Sequence, residues 1–168
     1  KNPVIFRATA QWFISIDNNE LRTKALAEIK RVRWIPPWGE ERIANMMSGR
    51  PDWCISRQRS WGVPIPAFDC HSCGHILASE AITLRVADIF GREGSNSWYK
   101  RSAAELLPPD ARCPQCGSQS FEKENNILDV WFDSGNAVWA SLEKKDAERF
   151  TERADLIIEG QDQIRGWF

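Results

Sequence analysis

Two cysteine motifs of the same form, C-x-x-C-G, most constrain the fold of this chain. The first ends at Gly74 and the second at Gly117. A tight turn of this form points two thiolates at one ion, and the trailing glycine permits a positive φ. Two such turns complete a tetrahedral site, which predicts one zinc ion held by four residues: Cys70, Cys73, Cys113 and Cys116. A closed shell of four thiolates leaves no position for a substrate, so the predicted zinc is structural.

Three further residues near these motifs have potential ligand or thiol chemistry. His71 and His75 flank the first motif, but four cysteines suffice for zinc, so we expect both histidines at the surface. Cys54 stands alone in an apolar setting and is expected to be a small core residue. Because no secretory signal is seen, a metal site is favoured over a disulfide framework.

Composition and charge exclude several broad classes of protein. The sequence contains no run of 18 apolar residues, so a membrane-spanning protein is excluded. A formal net charge of −1 gives no bulk attraction to nucleic acid. A local basic stretch is expected to be a solvated helix face, and it comprises Arg22, Lys24, Lys30, Arg31 and Arg33. The chain begins without Met and stops in a hydrophobic run, so we expect a slice of a larger protein.

Hydrophobic periodicity predicts where the regular elements lie. Apolar residues at three-to-four spacing predict helices over 21–29 and 40–47. β-branched and aromatic residues predict short strands at 4–6 and 12–16. The apolar run 156–158 predicts a buried parallel strand, broken by the glycine that follows. Two aspartates and a tryptophan within 128–135 predict a tight turn, and in the cysteine-bounded segment only 81–90 shows clear periodicity.

Three stretches resemble one enzyme family. The sequence W-C-I-S-R-Q-R-S-W-G, residues 53–62, resembles a segment shared by the isoleucyl, valyl and leucyl branch of class I aminoacyl-tRNA synthetases. The sequences L-D-V-W-F-D-S-G, residues 128–135, and E-G-Q-D-Q-I-R-G-W-F, residues 159–168, are similar to isoleucyl members of that branch. Valyl members favour different residues in both stretches, so the resemblance selects isoleucine.

The resemblance covers nearly the whole chain and implies an α/β fold class. It implies part of a Rossmann-type nucleotide-binding fold, with a small β-rich, zinc-ribbon-like subdomain inserted. Residues 1–67 would follow the editing insertion and re-enter the catalytic fold. Residues 68–122 would be the zinc-binding insertion, and residues 123–168 would return to the catalytic fold with the ligand pocket.

The same resemblance implies an activity. Such a synthetase activates isoleucine with ATP and Mg²⁺ to isoleucyl-adenylate and transfers it to tRNA(Ile). We would expect the parent enzyme to be cytoplasmic and monomeric, without membrane association. The residues that would hold the adenylate are Glu159, Gly160, Asp162 and Gln163, with Gln163 near the substrate amino group. Trp131 and Trp167 would wall the isoleucine pocket, whereas without the resemblance both would be read as core tryptophans.

Several alternatives stay open at the level of sequence. The ATP-handling signatures H-I-G-H and K-M-S-K-S and the threonine-rich editing site are absent from these 168 residues, so we expect the piece alone to be inactive. A valyl or leucyl synthetase segment is one alternative, and a free-standing zinc-binding adaptor for RNA or protein is another. Arg57 and Arg59 can serve as ion-pair partners, as tRNA phosphate contacts, or as supports near the active site.

Overall fold

The computed structural model describes residues 4–5, 8–137, 140, 156–158 and 160. The chain divides into two compact units, the first comprising residues 1–56 and 129–168 and the second residues 57–128. The predicted insertion, 68–122, falls within the second unit. Among the described residues, no helix combines the length and apolar character needed to cross a membrane.

Where the structure describes it, the first unit contains a two-stranded sheet and three helices of several residues each. Its antiparallel strands are β1 (Phe13–Ile14) and β2 (Trp53–Cys54). Its helices are α1 (Leu21–Ile29), α2 (Trp38–Ser48) and α6 (Val130–Gly135), with a 3-10 turn at Asn18–Glu20 before α1. The predicted helices over 21–29 and 40–47 are thus confirmed, and α2 begins two residues before its prediction.

Polar contacts join the helices and the sheet of the first unit. The Arg22 guanidinium pairs with the Asp17 carboxylate at 2.7 Å and donates to the Met47 carbonyl at 2.7 Å. The Ser56 hydroxyl donates to the Gln11 side chain at 2.8 Å, which joins the segment after β2 to the segment before β1. These contacts satisfy polar groups that packing leaves partly away from water.

The second unit combines a three-stranded antiparallel sheet with three helices. The sheet has the order β5-β4-β6, formed by β4 (Phe68–Cys70), β5 (Ile76–Leu77) and β6 (Phe121–Lys123). The helices are α3 (Glu80–Glu93), α4 (Ser97–Lys100) and α5 (Ala103–Leu106). Two short strands, β3 (Ser56–Arg57) and β7 (Ile127–Leu128), lie where the chain enters and leaves this unit.

Helix α3 supplies one wall of the core of the second unit. It begins at Ser79, whose side chain accepts a hydrogen bond from the Ile82 N–H at 3.4 Å, as expected of a serine cap. Ile82, Val86 and Ile89 are buried at helical spacing on one face. They pack with a cluster of buried side chains comprising Phe68, Trp98, Leu106 and Leu107. Since β4 carries Phe68 into this core and ends at Cys70, the core fixes the position of the first cysteine motif.

Four sequence predictions were wrong in the described residues. Val4 and Ile5 are exposed and outside any strand, while Phe6 lies outside the described residues. The run 156–158 is also exposed and outside any strand, because an apolar run becomes a buried strand only beside partner strands and no described pair includes it. The expected turn after residue 127 is instead β7 followed by α6, because Asp129 caps a helix. The insertion is not β-rich, since more of its residues lie in helices than in strands.

Candidate metal centre and tryptophan site

The first cysteine turn, residues 70–74, begins at the end of β4. The Gly74 N–H donates to the Cys70 carbonyl at 2.8 Å, and the Cys70 N–H donates to the His75 carbonyl at 2.9 Å. Gly74 has a φ of 71°, a conformation that residues with a side chain rarely adopt. The turn is therefore closed by backbone hydrogen bonds, which leaves both cysteine side chains available to a ligand.

The second cysteine turn, residues 113–117, repeats this geometry. The Gly117 N–H donates to the Cys113 carbonyl at 2.8 Å, and the Cys113 N–H donates to the Ser118 carbonyl at 2.8 Å. Gly117 has a φ of 75°. A hydrogen bond of 2.9 Å between the Ser72 and Ser118 hydroxyls links the two turns. The repeated sequence motif thus produces two equivalent turns that face each other.

The four cysteine sulfurs form one cluster. Their Sγ atoms all lie within 4.8 Å of one another. Two of the pairs cross between the turns at 3.5 Å, Cys70 with Cys116 and Cys73 with Cys113. Sulfurs bound at about 2.3 Å to a tetrahedral zinc lie ~3.8 Å apart, so the cluster has the size that this ion requires.

The pKa values of Cys70, Cys73 and Cys116 are shifted in different directions. Burial raises the pKa of Cys70, but the N–H groups of Cys73 and Ser72 and the neighbouring thiols outweigh burial and lower it to about 6. The His75 N–H favours the Cys73 thiolate, yet burial and the surrounding sulfurs dominate and raise the Cys73 pKa to about 12. The Ser118 N–H and the Cys73 thiol favour the Cys116 thiolate, but burial and the Cys70 and Cys113 sulfurs outweigh them and raise the Cys116 pKa. Four adjacent thiolates repel one another, and a divalent cation held between them would relieve that repulsion.

The histidines near the first turn are not part of this cluster. The group of possible metal ligands in the described residues contains the four cysteines alone. His71 is exposed, and its backbone N–H donates to the Ser120 carbonyl at 3.0 Å. His75 is half-buried and uses its carbonyl to accept from Cys70. Both histidines therefore act here through their backbones, and the donor set is sulfur only.

A second group of polar and aromatic residues surrounds the start of α6. Asp129 is 3% exposed, and the hydrogen bonds that it accepts include two of 3.1 Å. The donors are the Trp53 indole Nε1–H, on Oδ2, and the Trp131 backbone N–H, on Oδ1. Trp131 is half-buried on the first turn of α6. Sequence reasoning assigned no role to Asp129 or Trp53, although an aspartate directly before a helix is the usual signal of an N-cap.

The remaining predicted ligand residues are only partly described. Gly160 is exposed, and no atom of the described residues lies within 4 Å of where a Cβ would be. Glu159, Asp162, Gln163 and Trp167 lie outside the described residues.

A comparison with known protein families identifies the family of this chain. The whole chain, residues 1–168, matches the model described as tRNA synthetases class I (I, L, M and V). The chain belongs to this class I tRNA synthetase family. The fold of the synthetase chain is accordingly that of a class I synthetase domain with both helices and strands.

Individual relatives show which member of the family the chain resembles. The synthetase chain is 58% identical over 168 residues to an isoleucine–tRNA ligase of Geobacter sulfurreducens. It is 53% identical over 169 residues to one of Petrotoga mobilis and 54% identical over 169 residues to one of Carboxydothermus hydrogenoformans. Each match covers 100% of this chain and 18% of the relative, so the chain spans about a fifth of those proteins. The predicted resemblance to isoleucyl members of the family is confirmed.

Three other residues singled out in the synthetase sequence, Arg57, Arg59 and Cys54, lie in the described part of the chain. Arg59 is exposed and donates to the Gln58 carbonyl at 3.0 Å, and Arg57 is half-buried. The Cys54 thiol is half-buried and lies 3.9 Å from the Gln11 Oε1 atom. Cys54 thus sits in a partly polar setting, not in the apolar core that the sequence predicted.

Proposed function

We propose that the protein carrying this chain is an isoleucine–tRNA ligase. It would activate isoleucine with ATP and Mg²⁺ to isoleucyl-adenylate and then transfer the isoleucyl group to tRNA(Ile). The observation that carries the proposal is the likeness to isoleucine–tRNA ligases along the entire chain. We also propose that the enzyme is cytoplasmic and monomeric.

We propose that the part after residue 128 contributes the amino-acid pocket. Trp131, half-buried on α6, and Trp167 would form rigid walls around the isoleucine side chain. Rigid walls are needed because one methylene distinguishes isoleucine from valine and is worth only about 1–3 kcal/mol, a general value for which isoleucyl-tRNA synthetases are themselves the standard example. A wall that moves would admit both amino acids.

We propose that four residues after the apolar run 156–158 hold the adenylate: Glu159, Gly160, Asp162 and Gln163. Carboxylates accept hydrogen bonds from ribose hydroxyls or an ammonium group. Gly160 suits a close approach of backbone to ligand, because a glycine has no Cβ to clash there. The part of the chain around these residues would belong to a Rossmann-type nucleotide-binding fold that other parts of the protein complete.

We propose that Cys70, Cys73, Cys113 and Cys116 hold a structural zinc in a zinc-ribbon-like insertion, 68–122. The support is the sulfur-only donor set, the 3.5 Å distances across the two turns and the repeated backbone geometry. When bound, zinc would supply electrostatic neutralisation of the thiolates and a crosslink between the two turns. No step of aminoacylation is assigned to it.

Amino-acid-dependent exchange of pyrophosphate into ATP tests the proposed activity. The full-length protein is assayed with isoleucine, valine and leucine, and the 168-residue chain serves as the negative control. We expect the largest kcat/KM with isoleucine and no exchange by the chain alone. Exchange that is strongest with valine or leucine would reassign the protein to a sister synthetase, and no exchange with any of them would favour a binding adaptor.

Metal analysis tests the zinc site. We expect Cys113→Ser to lose bound zinc and to lower the thermal midpoint, because a structural zinc contributes folding free energy directly. Cys54→Ser is the matched control, since Cys54 lies outside the sulfur cluster and should leave the zinc content unchanged. Full zinc occupancy in Cys113→Ser would contradict the four-cysteine assignment.

A further inference from the structure

Asp129 is buried more completely than an exposed helix cap requires. It is 3% exposed, and burying a carboxylate is unfavourable unless hydrogen bonds compensate for the lost water. Its two oxygens are used separately: Oδ1 accepts from the Trp131 N–H and Oδ2 accepts from the Trp53 indole. Only the first of these bonds belongs to helix capping. The second therefore has to be explained by something other than the start of α6.

Trp53 holds Asp129 in place within the first unit. Trp53 lies in β2, which pairs with β1. Its ring packs against Phe132 with centroids 6.2 Å apart, and the Asp129 N–H donates to the carbonyl of Ile55 at 2.7 Å. Asp129 is thus fixed from the sheet by an indole on its carboxylate and a carbonyl on its backbone. Through its bond to the Trp131 N–H, Asp129 then holds the first turn of α6, which carries Trp131.

We propose that Asp129 is a positioning residue that, together with Trp53, sets the orientation of Trp131 and so the selectivity for isoleucine. This inference rests on the proposed function, because it requires Trp131 to be a wall of the amino-acid pocket. Asp129 touches no substrate in this scheme. It acts by holding the turn of helix from which the Trp131 ring projects.

The chemistry of the two bonds separates this role from ordinary capping. Asparagine is as good an N-cap as aspartate, since its amide oxygen can still accept from the Trp131 N–H. Asparagine has only one acceptor oxygen, however, so its NH₂ group would face the Trp53 N–H, donor against donor. Asp129→Asn therefore preserves the cap and breaks the bond to Trp53. Trp53→Phe breaks the same bond from the other side and keeps an aromatic ring against Phe132.

The test uses the full-length enzyme and measures pyrophosphate exchange with isoleucine and with valine. We expect Asp129→Asn and Trp53→Phe each to raise KM for isoleucine about tenfold, the scale of one lost hydrogen bond to a charged group. KM for ATP should stay unchanged, and the ratio of kcat/KM for isoleucine over valine should fall. The double variant should lose no more than Asp129→Asn alone, because both changes remove one shared interaction. Asp110→Asn and Trp38→Phe, at exposed positions, are the matched controls.

The outcomes separate the possible roles. Unchanged KM for isoleucine and unchanged selectivity in both single variants would overturn the positioning role and leave Asp129 as a cap. A fall in kcat with the active fraction, without a change in KM, would overturn it too, since that pattern reports only lost folding. If Asp129→Asn fails to fold, Trp53→Phe decides by the same criteria. A wild-type enzyme without isoleucine-dependent exchange would overturn the proposed function, and the positioning role with it, whereas wild-type exchange with unaltered variants would overturn the positioning role alone.

Discussion

Gly62→Ala is expected to destabilise the second unit, because this position requires both an unusual backbone conformation and a missing side chain. Gly62 has a φ of 149°, which residues with a Cβ rarely adopt. A Cβ built there would lie 2.4 Å from the Cδ1 atom of Ile127 and 3.3 Å from its Cγ1 atom. Ile127 is 5% exposed, so it has little room to retreat. The glycine of the W-G pair in residues 53–62 is thus explained by packing and backbone geometry.

The loss of stability expected for Gly62→Ala has two parts. Forcing alanine into a conformation nearly exclusive to glycine costs about 1–3 kcal/mol. Pressing a methyl group into the Ile127 side chain is overpacking, which costs about 1–3 kcal/mol in a well-packed core. Together they lower the free energy of unfolding by about 2–6 kcal/mol, a large share of the stability of a small domain.

Urea denaturation of the zinc-loaded 168-residue chain, followed by tryptophan fluorescence and circular dichroism, measures this effect. Gly91→Ala is the matched control. Gly91 is exposed in α3, and nothing lies within 4 Å of its added methyl group. In a helix interior, alanine is favoured over glycine by about 0.5–1 kcal/mol, so the control should be slightly stabilised.

A double-mutant cycle separates the two parts. Ile127→Val removes the Cδ1 atom that the new methyl group meets and alone costs about 0.5–1.5 kcal/mol. In that background, Gly62→Ala should lose its overpacking share, giving a coupling of about 1–3 kcal/mol, while the backbone share remains. The reasoning is refuted if Gly62→Ala is as mild as the control. It is also refuted if removing Cδ1 leaves the cost of Gly62→Ala unchanged.

Two further predictions concern the same unit. Leu106→Ala should destabilise it by about 2–5 kcal/mol in the same denaturation assay, because Leu106 is fully buried, whereas Leu84→Ala on the exposed face of α3 should change stability by less than about 0.5 kcal/mol. The hydroxyl and N–H of Ser102 donate to the Glu105 carboxylate and lower the pKa of Glu105. The hydrogen bonds therefore stabilise the fold at pH values above the pKa that Glu105 has in the unfolded chain. This stabilisation is lost as the pH falls through the lower pKa that Glu105 has in the folded chain. Glu105→Gln should therefore lower the thermal midpoint at pH 7, and its difference from wild type should shrink on acidification; a difference independent of pH would contradict the capping role.

Local signals in the sequence predicted the parts of the structure that depend on local interactions. The C-x-x-C-G motifs identified the cysteines of the sulfur cluster, because tight turns with a positive-φ glycine are encoded within five residues. The apolar spacing of residues 21–29 predicted α1 with the bounds that are observed. The binding of zinc by the sulfur cluster and the roles of the ligand residues after 158 stay predictions.

Other features depend on contacts between residues far apart in the chain, and no local sequence pattern predicted them. The indole of Trp53 donates a hydrogen bond to the carboxylate of Asp129, which lies 76 positions away in the chain, so no local pattern around either residue predicts the contact. The run 156–158 has the composition of a buried strand, but a strand exists only where a neighbour offers hydrogen bonds. The Lys123 ammonium donates to the Trp98 and Arg101 carbonyls at 2.6 Å each, a use of lysine that no periodicity indicates.

The two facing cysteine turns also determine how much the intervening chain can vary in length. Their crossing pairs join residues 46 and 40 positions apart. The entropy of closing a flexible loop grows only with the logarithm of its length, so ten residues added at the exposed turn 94–96 would cost ~0.2 kcal/mol in closure. An insertion there would leave both turns and the buried face of α3 intact. The second unit can therefore acquire new surface loops with almost no loss of stability, provided that the four sulfurs still meet.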